Sequence, residues 1–154
     1  KTLDRKSADE VTYFMHIHMR TEIERKLISG ELKVKDLPDA WAQYSKELFG
    51  KKPKNNAEGC LQDVHWFVGK FGYFPAYALG HMMSAQLLET MVRDIPHIPT
   101  QLRNGEFGDI HIWLNNKIYQ RGRLERTDDL LKSITGEPLS YDALVRHIKY
   151  RYLG

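Results

Sequence analysis

The chain has 154 residues, which is enough for one domain with a hydrophobic core. Hydrophobic residues make up 42% and charged residues 28%, which argues against disorder, and no apolar run approaches the ~20 residues of a membrane-spanning helix. A formal charge of +3, without interleaved basic and aromatic residues, argues against a nucleic-acid groove. Because the single Cys60 cannot form an internal disulfide, a reducing, cytoplasmic compartment is expected.

The first predicted helix begins near Ser7, whose spacing to Glu10 matches a capping box, and ends at Gly30. Its buried face is predicted from residues that recur at helical intervals: Val11, Met15, His18 and Met19. A second helix is predicted to follow Asp36 at its N-cap and to end at Gly50. Four large residues predict the buried face of this second helix: Trp41, Tyr44, Leu48 and Phe49.

The middle of the chain is predicted to contain an irregular segment followed by an apolar helix. The segment from Gly59 to Pro75 has no clean period and is predicted to be irregular. From Ala76 to Leu88, apolar residues occur nearly all round the helical wheel, which predicts a central buried helix.

Three further helices are predicted after that. One carries the apolar residues between 110 and 118 and ends at Gly122, one is capped by Thr127, and the last is capped by Ser140. Since no strand pattern is found, the fold is predicted to be all-α, as a single helical unit over residues 1–154.

The seven histidines raise the question of a metal site. The sequence contains no H-E-x-x-H, the pattern that places two His ligands and a Glu base on one helix face. His16 and His18 point about 200° apart on a helix, and His18 with Glu22 lacks a third ligand. Cys60 and His65 lack the third member of a nucleophile triad. The residues therefore predict no metal site in this chain.

The predicted irregular segment concentrates polar chemistry. Residues 59–66 hold an amide, a carboxylate, an imidazole and an indole, and an extended backbone can project Asp63 and His65 into one cleft. Tyr73 and Tyr77 follow, and a pre-positioned phenol can donate to a developing oxyanion. The segment predicts either a binding site or a buried polar network that fastens a loop to the helices.

These residues also carry a resemblance to a known family. Residues 59–66, G-C-L-Q-D-V-H-W, match the G-x-x-Q-D-x-H-W signature of thermostable (Taq-type) carboxypeptidases, and residues 5–9 match the R-x-x-A-D signature. Residues 71–75, 77–80 and 135–138 are also similar to that family. The chain therefore resembles the C-terminal part of a Taq-type metallocarboxypeptidase over nearly all its length.

The resemblance implies a mostly helical, zincin-like peptidase that removes C-terminal residues from peptides with broad specificity. It implies a divalent metal, zinc or cobalt, whose H-E-x-x-H ligands the family carries in a part that precedes position 1 here. The chain alone is therefore expected to bind no metal and to be inactive. The implied partners are peptide substrates, that preceding part of the same protein, and a second copy in a homodimer.

Three residues are implied as substrate-binding. Arg5 is expected to bind the substrate carboxylate, which suits a planar bidentate donor. Asp63 is expected to orient His65 or another site residue, and Trp66 is expected to form one wall of the cleft.

Three residues are implied as catalytic. His65, with Tyr73 or Tyr77, is expected to bind the peptide and to stabilise the tetrahedral oxyanion. The alternative interpretation of the whole chain is a non-enzymatic helical interaction module.

Overall fold

The computed structural model describes residues 2–154, which form seven α-helices and no β-strand in that range. The all-α prediction is confirmed. The helices are α1 Glu10–Ser29, α2 Leu37–Phe49, α3 Phe74–Asp94, α4 Ile98–Asn104, α5 Gly108–Lys117, α6 Thr127–Thr135 and α7 Asp142–Leu153. The single helical unit expected from the sequence divides into two compact units, the first ending at Ala78 and the second beginning at Leu79. No helix in the described part is long and apolar enough to cross a membrane.

The start of α1 differs from the prediction. Asp9, not Ser7, is the N-cap, and its Oδ1 accepts hydrogen bonds from the backbone N–H groups of Val11 (3.1 Å) and Thr12 (2.9 Å). Ser7 instead donates to the Asp4 carboxylate from its backbone N–H and its hydroxyl. A carboxylate next to the helix start satisfies the first unpaired N–H groups and the helix dipole together.

The buried face of α1 was also predicted wrongly. Val11 and His18 are exposed, while Met19 is buried and Met15 is half-buried. The side that faces the interior is largely polar, and its buried residues are Thr12, His16, Ile17, Met19, Arg20, Ile23 and Glu24. Hydrophobic periodicity fails here because three members of that face are titratable.

The predicted end of α1 and both ends of α2 are confirmed. Gly30 and Gly50 adopt left-handed backbone conformations, with φ of 79° and 76°, that residues with a Cβ rarely adopt. Asp36 lies at the N-cap of α2 without a side-chain capping bond. The core of the first unit is built from both helices and the following segment: Met19, Ile23, Trp41, Phe49 and Cys60.

Helix α3 is longer than predicted and is not buried. It runs from Phe74 to Asp94, and within residues 76–88 only Ala85 and Gln86 are buried. Leu79 and Leu88 are exposed. The apolar residues of this stretch therefore lie on the exposed surface as well as in the core.

The second unit has its own core of Met91, Ile98, Trp113 and Ile134. Helix α4 was not predicted, and α5 ends at Lys117 instead of Gly122, with a 3₁₀ turn over Tyr119–Arg121 in between. Thr127 is the first residue of α6, not its cap. Ser140 accepts a hydrogen bond from the Asp142 backbone N–H at 3.1 Å, although Tyr141 is the N-cap of α7.

The buried His16 makes the stability of this fold sensitive to acid. Its side chain is fully buried and stacks on Phe49 at 4.2 Å, and its Nδ1 accepts a hydrogen bond from Arg20 Nη1 at 3.3 Å. Since arginine only donates, the proton of the neutral ring is on Nε2. Burial and the charge of Arg20 lower the pKa of His16 from 6.5 to about 4.

We therefore expect unfolding to become easier as the pH falls from 6.5 towards 4, where the unfolded chain binds a proton at His16 and the folded chain does not. The expected contribution is on the order of 2–3 kcal/mol between pH 7.5 and pH 4.5. Denaturant unfolding of the natural chain and of His16→Gln at both pH values measures it. An equal loss in the two proteins would contradict the assignment to His16.

Candidate functional site

The segment from Gly59 to Trp66 begins with a close backbone approach. A Cβ at position 59 would lie 3.2 Å from Pro53 Cγ and 3.3 Å from the Asn55 carbonyl oxygen. These distances are tighter than ordinary van der Waals contacts, so glycine suits this turn. The backbone N–H of Gly59 donates to the Asn56 carbonyl at 3.1 Å, and the chain then turns towards α1.

Asp63 is the centre of the site. Its Oδ1 accepts hydrogen bonds from Arg5 Nε at 3.0 Å and Nη2 at 2.8 Å, and its Oδ2 accepts one from Arg20 Nε at 2.6 Å. All three side chains are buried. Asp63 thus accepts three charge-assisted hydrogen bonds from two arginines, and hydrogen bonds of this kind are strong and directional.

This pairing keeps Asp63 ionised. Burial alone would raise the pKa of the Asp63 carboxyl, but the charges and hydrogen bonds of Arg20 and Arg5 outweigh it, so the pKa lies below the usual 3.8. One carboxylate between two guanidinium groups leaves a net charge of +1 in a buried place.

Gln62 completes the attachment of this turn. Its Oε1 accepts hydrogen bonds from Arg20 Nη2 at 2.8 Å and from the Arg5 backbone N–H at 3.3 Å. Its Nε2 donates to the carbonyl oxygens of Leu3 (3.2 Å) and Glu58 (2.9 Å). This amide therefore makes all four hydrogen bonds that it can form, and they hold the segments around Arg5 and Asp63 together.

His65 contacts Tyr77 and faces Asp63. Its Nε2 lies 2.8 Å from the Tyr77 hydroxyl, and its buried Nδ1 lies 3.8 Å from Asp63 Oδ1 without a hydrogen-bond partner in the described part of the chain. A lone pair on Nδ1 would repel the carboxylate, whereas an N–H is attracted to it. The geometry therefore favours the tautomer with the proton on Nδ1, in which Nε2 accepts from the Tyr77 hydroxyl.

His65 is neutral near pH 7. Burial lowers its pKa, and the attraction of Asp63 does not compensate for burial and the nearby cations. Burial also raises the pKa of Tyr77. Both groups of this pair therefore keep their neutral forms at physiological pH.

Tyr73 is the predicted catalytic residue with the greatest exposure, at 41%. Its ring meets Tyr77 edge-on at 5.3 Å and lies 5.8 Å from the His65 ring. Phe74 packs against the other rings from the start of α3, with its centroid 4.5 Å from that of His65. The two phenols and the imidazole thus form one aromatic cluster.

Trp66 points into the first unit. Its Nε1 donates to Glu24 Oε2 at 2.9 Å, and its ring meets Trp41 and Phe74 edge-on. The other oxygen of Glu24 accepts from the Gly72 backbone N–H. Glu24 therefore fastens both sides of the turn between Trp66 and Gly72 to α1.

The structure brings five of the six predicted site residues into one group: Arg5, Asp63, His65, Tyr73 and Tyr77. Trp66 is half-buried beside them, against Glu24. Sequence reasoning missed Arg20 and Glu24. Their spacing of four residues places two opposite charges on the face of α1 that also carries Met19 and Ile23, but the same spacing is typical of a solvated helix face.

A metal site is not formed by these residues. Among residues 2–154, no three His, Cys, Asp or Glu side chains lie close enough to hold an ion. His16 instead accepts a hydrogen bond from Arg20 and stacks on Phe49, and His65 forms a hydrogen bond with Tyr77. The donor set of the described chain does not fit the divalent metal that the resemblance implies.

The second unit contains a separate pocket. A pocket of about 320 Å³ is lined by polar residues of α3, α7 and the turn before α7, including Gln86, Arg93 and Arg146. It includes none of the predicted site residues.

Comparison with known proteins decides the family. The family model of Carboxypeptidase Taq (M32) metallopeptidase matches residues 1–152. The chain belongs to this family. It is 44% identical over 148 residues to Carboxypeptidase 1 of Bacillus subtilis, and 41% identical over 149 residues to Thermostable carboxypeptidase 1 of Pyrococcus furiosus. Those matches cover 96% and 97% of this chain and 30% of each relative.

The solved structures agree with this assignment. Metallocarboxypeptidase 1 of Trypanosoma cruzi superposes with a TM-score of 0.93 at 40% identity, over 100% of this chain and 32% of that one. The chain thus spans about 30% of the length of the curated relatives it matches. The family is one of metallopeptidases, and its fold over this part is the helical fold described above.

Proposed function

We propose that this chain supplies the substrate-binding and oxyanion side of a metal-dependent carboxypeptidase that removes C-terminal residues from peptides with broad specificity. The observation that carries the proposal is the buried cluster of Arg5, Asp63 and Arg20 beside the ring of Tyr77. A carboxypeptidase must recognise a free carboxylate and stabilise a tetrahedral oxyanion, and this group offers positive charge together with the phenol of Tyr73, which packs against Tyr77.

The charge of the cluster suits a carboxylate. Arg5 and Arg20 share one ionised Asp63, and His65 is neutral, so two guanidinium groups face a single carboxylate. Arg5 uses three of its five N–H donors, on Asp63 and the Tyr13 hydroxyl, which leaves two for a substrate carboxylate. Its guanidinium also lies 5.1 Å from the centre of the Tyr77 ring.

The tautomer of His65 favours Tyr73 as the oxyanion donor. Nε2 accepts the hydroxyl proton of Tyr77 and Nδ1 faces Asp63, so neither ring nitrogen of His65 is directed to a substrate. Because the single O–H of Tyr77 is used in that bond, we assign the donor to Tyr73, whose ring packs edge-on against Tyr77. A phenol can donate without changing its charge, and Tyr73 is the more exposed of the two.

The surface of the first unit supports a polypeptide partner. Large apolar side chains between residues 61 and 71 are exposed, and Phe67 is 68% exposed. Beside them, Thr21, Ile28, Phe71 and Pro75 line an apolar groove of about 540 Å³. Exposed apolar clusters mark interaction surfaces, and the relatives are about three times as long as this chain. We propose the remaining part of the family's chain as the occupant, with a second copy in a homodimer as a further partner.

A non-enzymatic helical interaction module is the second candidate function. The same exposed apolar residues favour it. It predicts binding without hydrolysis in every assembly that contains this chain.

The direct test is a chimera in which this chain replaces the matching 30% of Carboxypeptidase 1 from Bacillus subtilis. We expect the chimera to release C-terminal residues from peptides with a free carboxylate, to spare peptides with an amidated C-terminus, and to lose activity in a chelator. The chain by itself is expected to hold no stoichiometric zinc or cobalt by elemental analysis and to cleave no peptide. A folded chimera that hydrolyses nothing, or that accepts blocked peptides equally, would contradict the proposal and favour the second candidate.

The division of roles is tested in the same chimera. We expect Tyr73→Phe to lower kcat about a hundredfold, because an oxyanion donor is worth ~3 kcal/mol. We expect His65→Phe to act chiefly on KM, and Tyr119→Phe, an exposed tyrosine of the second unit, to change neither. Steady-state kinetics and thermal melts on the same preparations measure this. If His65→Phe lowers kcat more than Tyr73→Phe, His65 is the donor; if both variants melt lower but turn over normally, the cluster only fastens the loop.

A further inference from the structure

We infer that Arg20 is a positioning residue of this site: from α1 it fixes Asp63, and through Asp63 it sets the charge around Arg5 and the orientation of His65. The inference rests on the proposed function for its effect on substrate binding. Its structural part stands on contacts within the first unit alone. No motif of the sequence singled out this residue.

Each of the three guanidinium nitrogens of Arg20 donates a hydrogen bond to a defined acceptor. Nε donates to Asp63 Oδ2 at 2.6 Å, Nη2 donates to Gln62 Oε1 at 2.8 Å, and Nη1 donates to the His16 carbonyl at 3.1 Å and to His16 Nδ1 at 3.3 Å. The side chain is 0% exposed. A planar guanidinium can serve these diverging acceptors at once, whereas an ammonium group cannot.

The aromatic neighbours fix the plane of the guanidinium. Its carbon lies 4.8 Å from the centre of the Trp41 ring and 5.8 Å from that of Phe74. Cation–π contacts are strongest when both partners are desolvated, as they are here. Arg20 therefore has one orientation, and so does the carboxylate that it holds.

The consequence for the site follows from the two oxygens of Asp63. Because Arg20 occupies Oδ2, Oδ1 is left for Arg5 and faces Nδ1 of His65. Without Arg20, the remaining pair of Arg5 and Asp63 would be neutral, and Arg5 would attract a substrate carboxylate less strongly. The carboxylate would also be free to rotate, and the Nδ1–H tautomer of His65 would lose its fixed acceptor.

A purely structural ion pair is the competing explanation. It predicts that loss of Arg20 lowers the melting temperature while His65 and substrate binding stay unchanged in the folded fraction. Two substitutions separate charge from geometry: Arg20→Met removes the charge, and Arg20→Lys keeps the charge but cannot reach Asp63, Gln62 and His16 together. Arg25→Met is the matched control, since Arg25 lies on the same helix and pairs with Glu22 and Glu31 at the surface.

The first measurement uses the 154-residue chain itself, so that it does not depend on activity. Imidazole ¹H–¹⁵N spectra report the tautomer of His65. We expect a single Nδ1–H form in the unsubstituted chain and in Arg25→Met, and a mixture of tautomers in Arg20→Met and Arg20→Lys. Unchanged His65 signals in folded Arg20 variants would overturn the inference. Failure of both variants to fold would also overturn it, because Arg20 would then be a core residue only.

The second measurement uses the chimera described above. We expect Arg20→Met to raise KM for peptides with a free carboxylate about tenfold while kcat stays within about threefold, with partial recovery in Arg20→Lys. We expect no change in Arg121→Met, the control in the chimera, because Arg121 pairs with Glu125 in the second unit. An unchanged KM with a lower melting temperature would overturn the positioning role. An unsubstituted chimera without activity would refute the proposed function instead, and the His65 spectra would still decide the role of Arg20.

Discussion

The first unit depends on one buried carboxylate. Asp63 lies between two arginines that are far from it in sequence, 58 residues for Arg5 and 43 for Arg20. Loss of one partner of a buried carboxylate costs several kcal/mol, so the contacts of Asp63 with Arg5 and Arg20 stabilise one another. The chain start, α1 and the segment from Gly59 to Trp66 are joined by this contact, and the relative placement of His65 and Tyr77 follows from it.

The polar face of α1 is the other half of this arrangement. His16, Arg20 and Glu24 are spaced by four residues and are all buried. Each contacts a different feature: Phe49 for His16, Asp63 for Arg20, and Trp66 with the Gly72 backbone for Glu24. A buried polar network of this kind specifies one arrangement of an irregular segment, because other arrangements leave charges unpaired.

The features that depend on local sequence, such as helix ends and the type of secondary structure, were predictable from the sequence. Gly30 and Gly50 end their helices as expected, and residues 2–154 contain no strand, as predicted, because backbone conformation and periodicity decide both. The polar cluster in residues 59–66 was found from composition, and its match to a family signature was specific. The burial of Arg20 and Glu24 was not predictable, since on a helix their alternating charges look like a solvated face. Their partners lie more than 40 residues away, and only the tertiary fold reveals them.

Under the proposed function, this network holds buried positive charge in place for the free carboxylate of a peptide. The arrangement requires that Asp63 stays ionised between Arg5 and Arg20. The most direct measurement is the pH titration of the Asp63 side-chain carboxyl carbon by ¹³C NMR in the folded chain. We predict a pKa below the ordinary 3.8 of aspartic acid, as the two arginines outweigh burial. A pKa at or above that ordinary value would contradict the account, since Asp63 could then not hold both guanidinium groups.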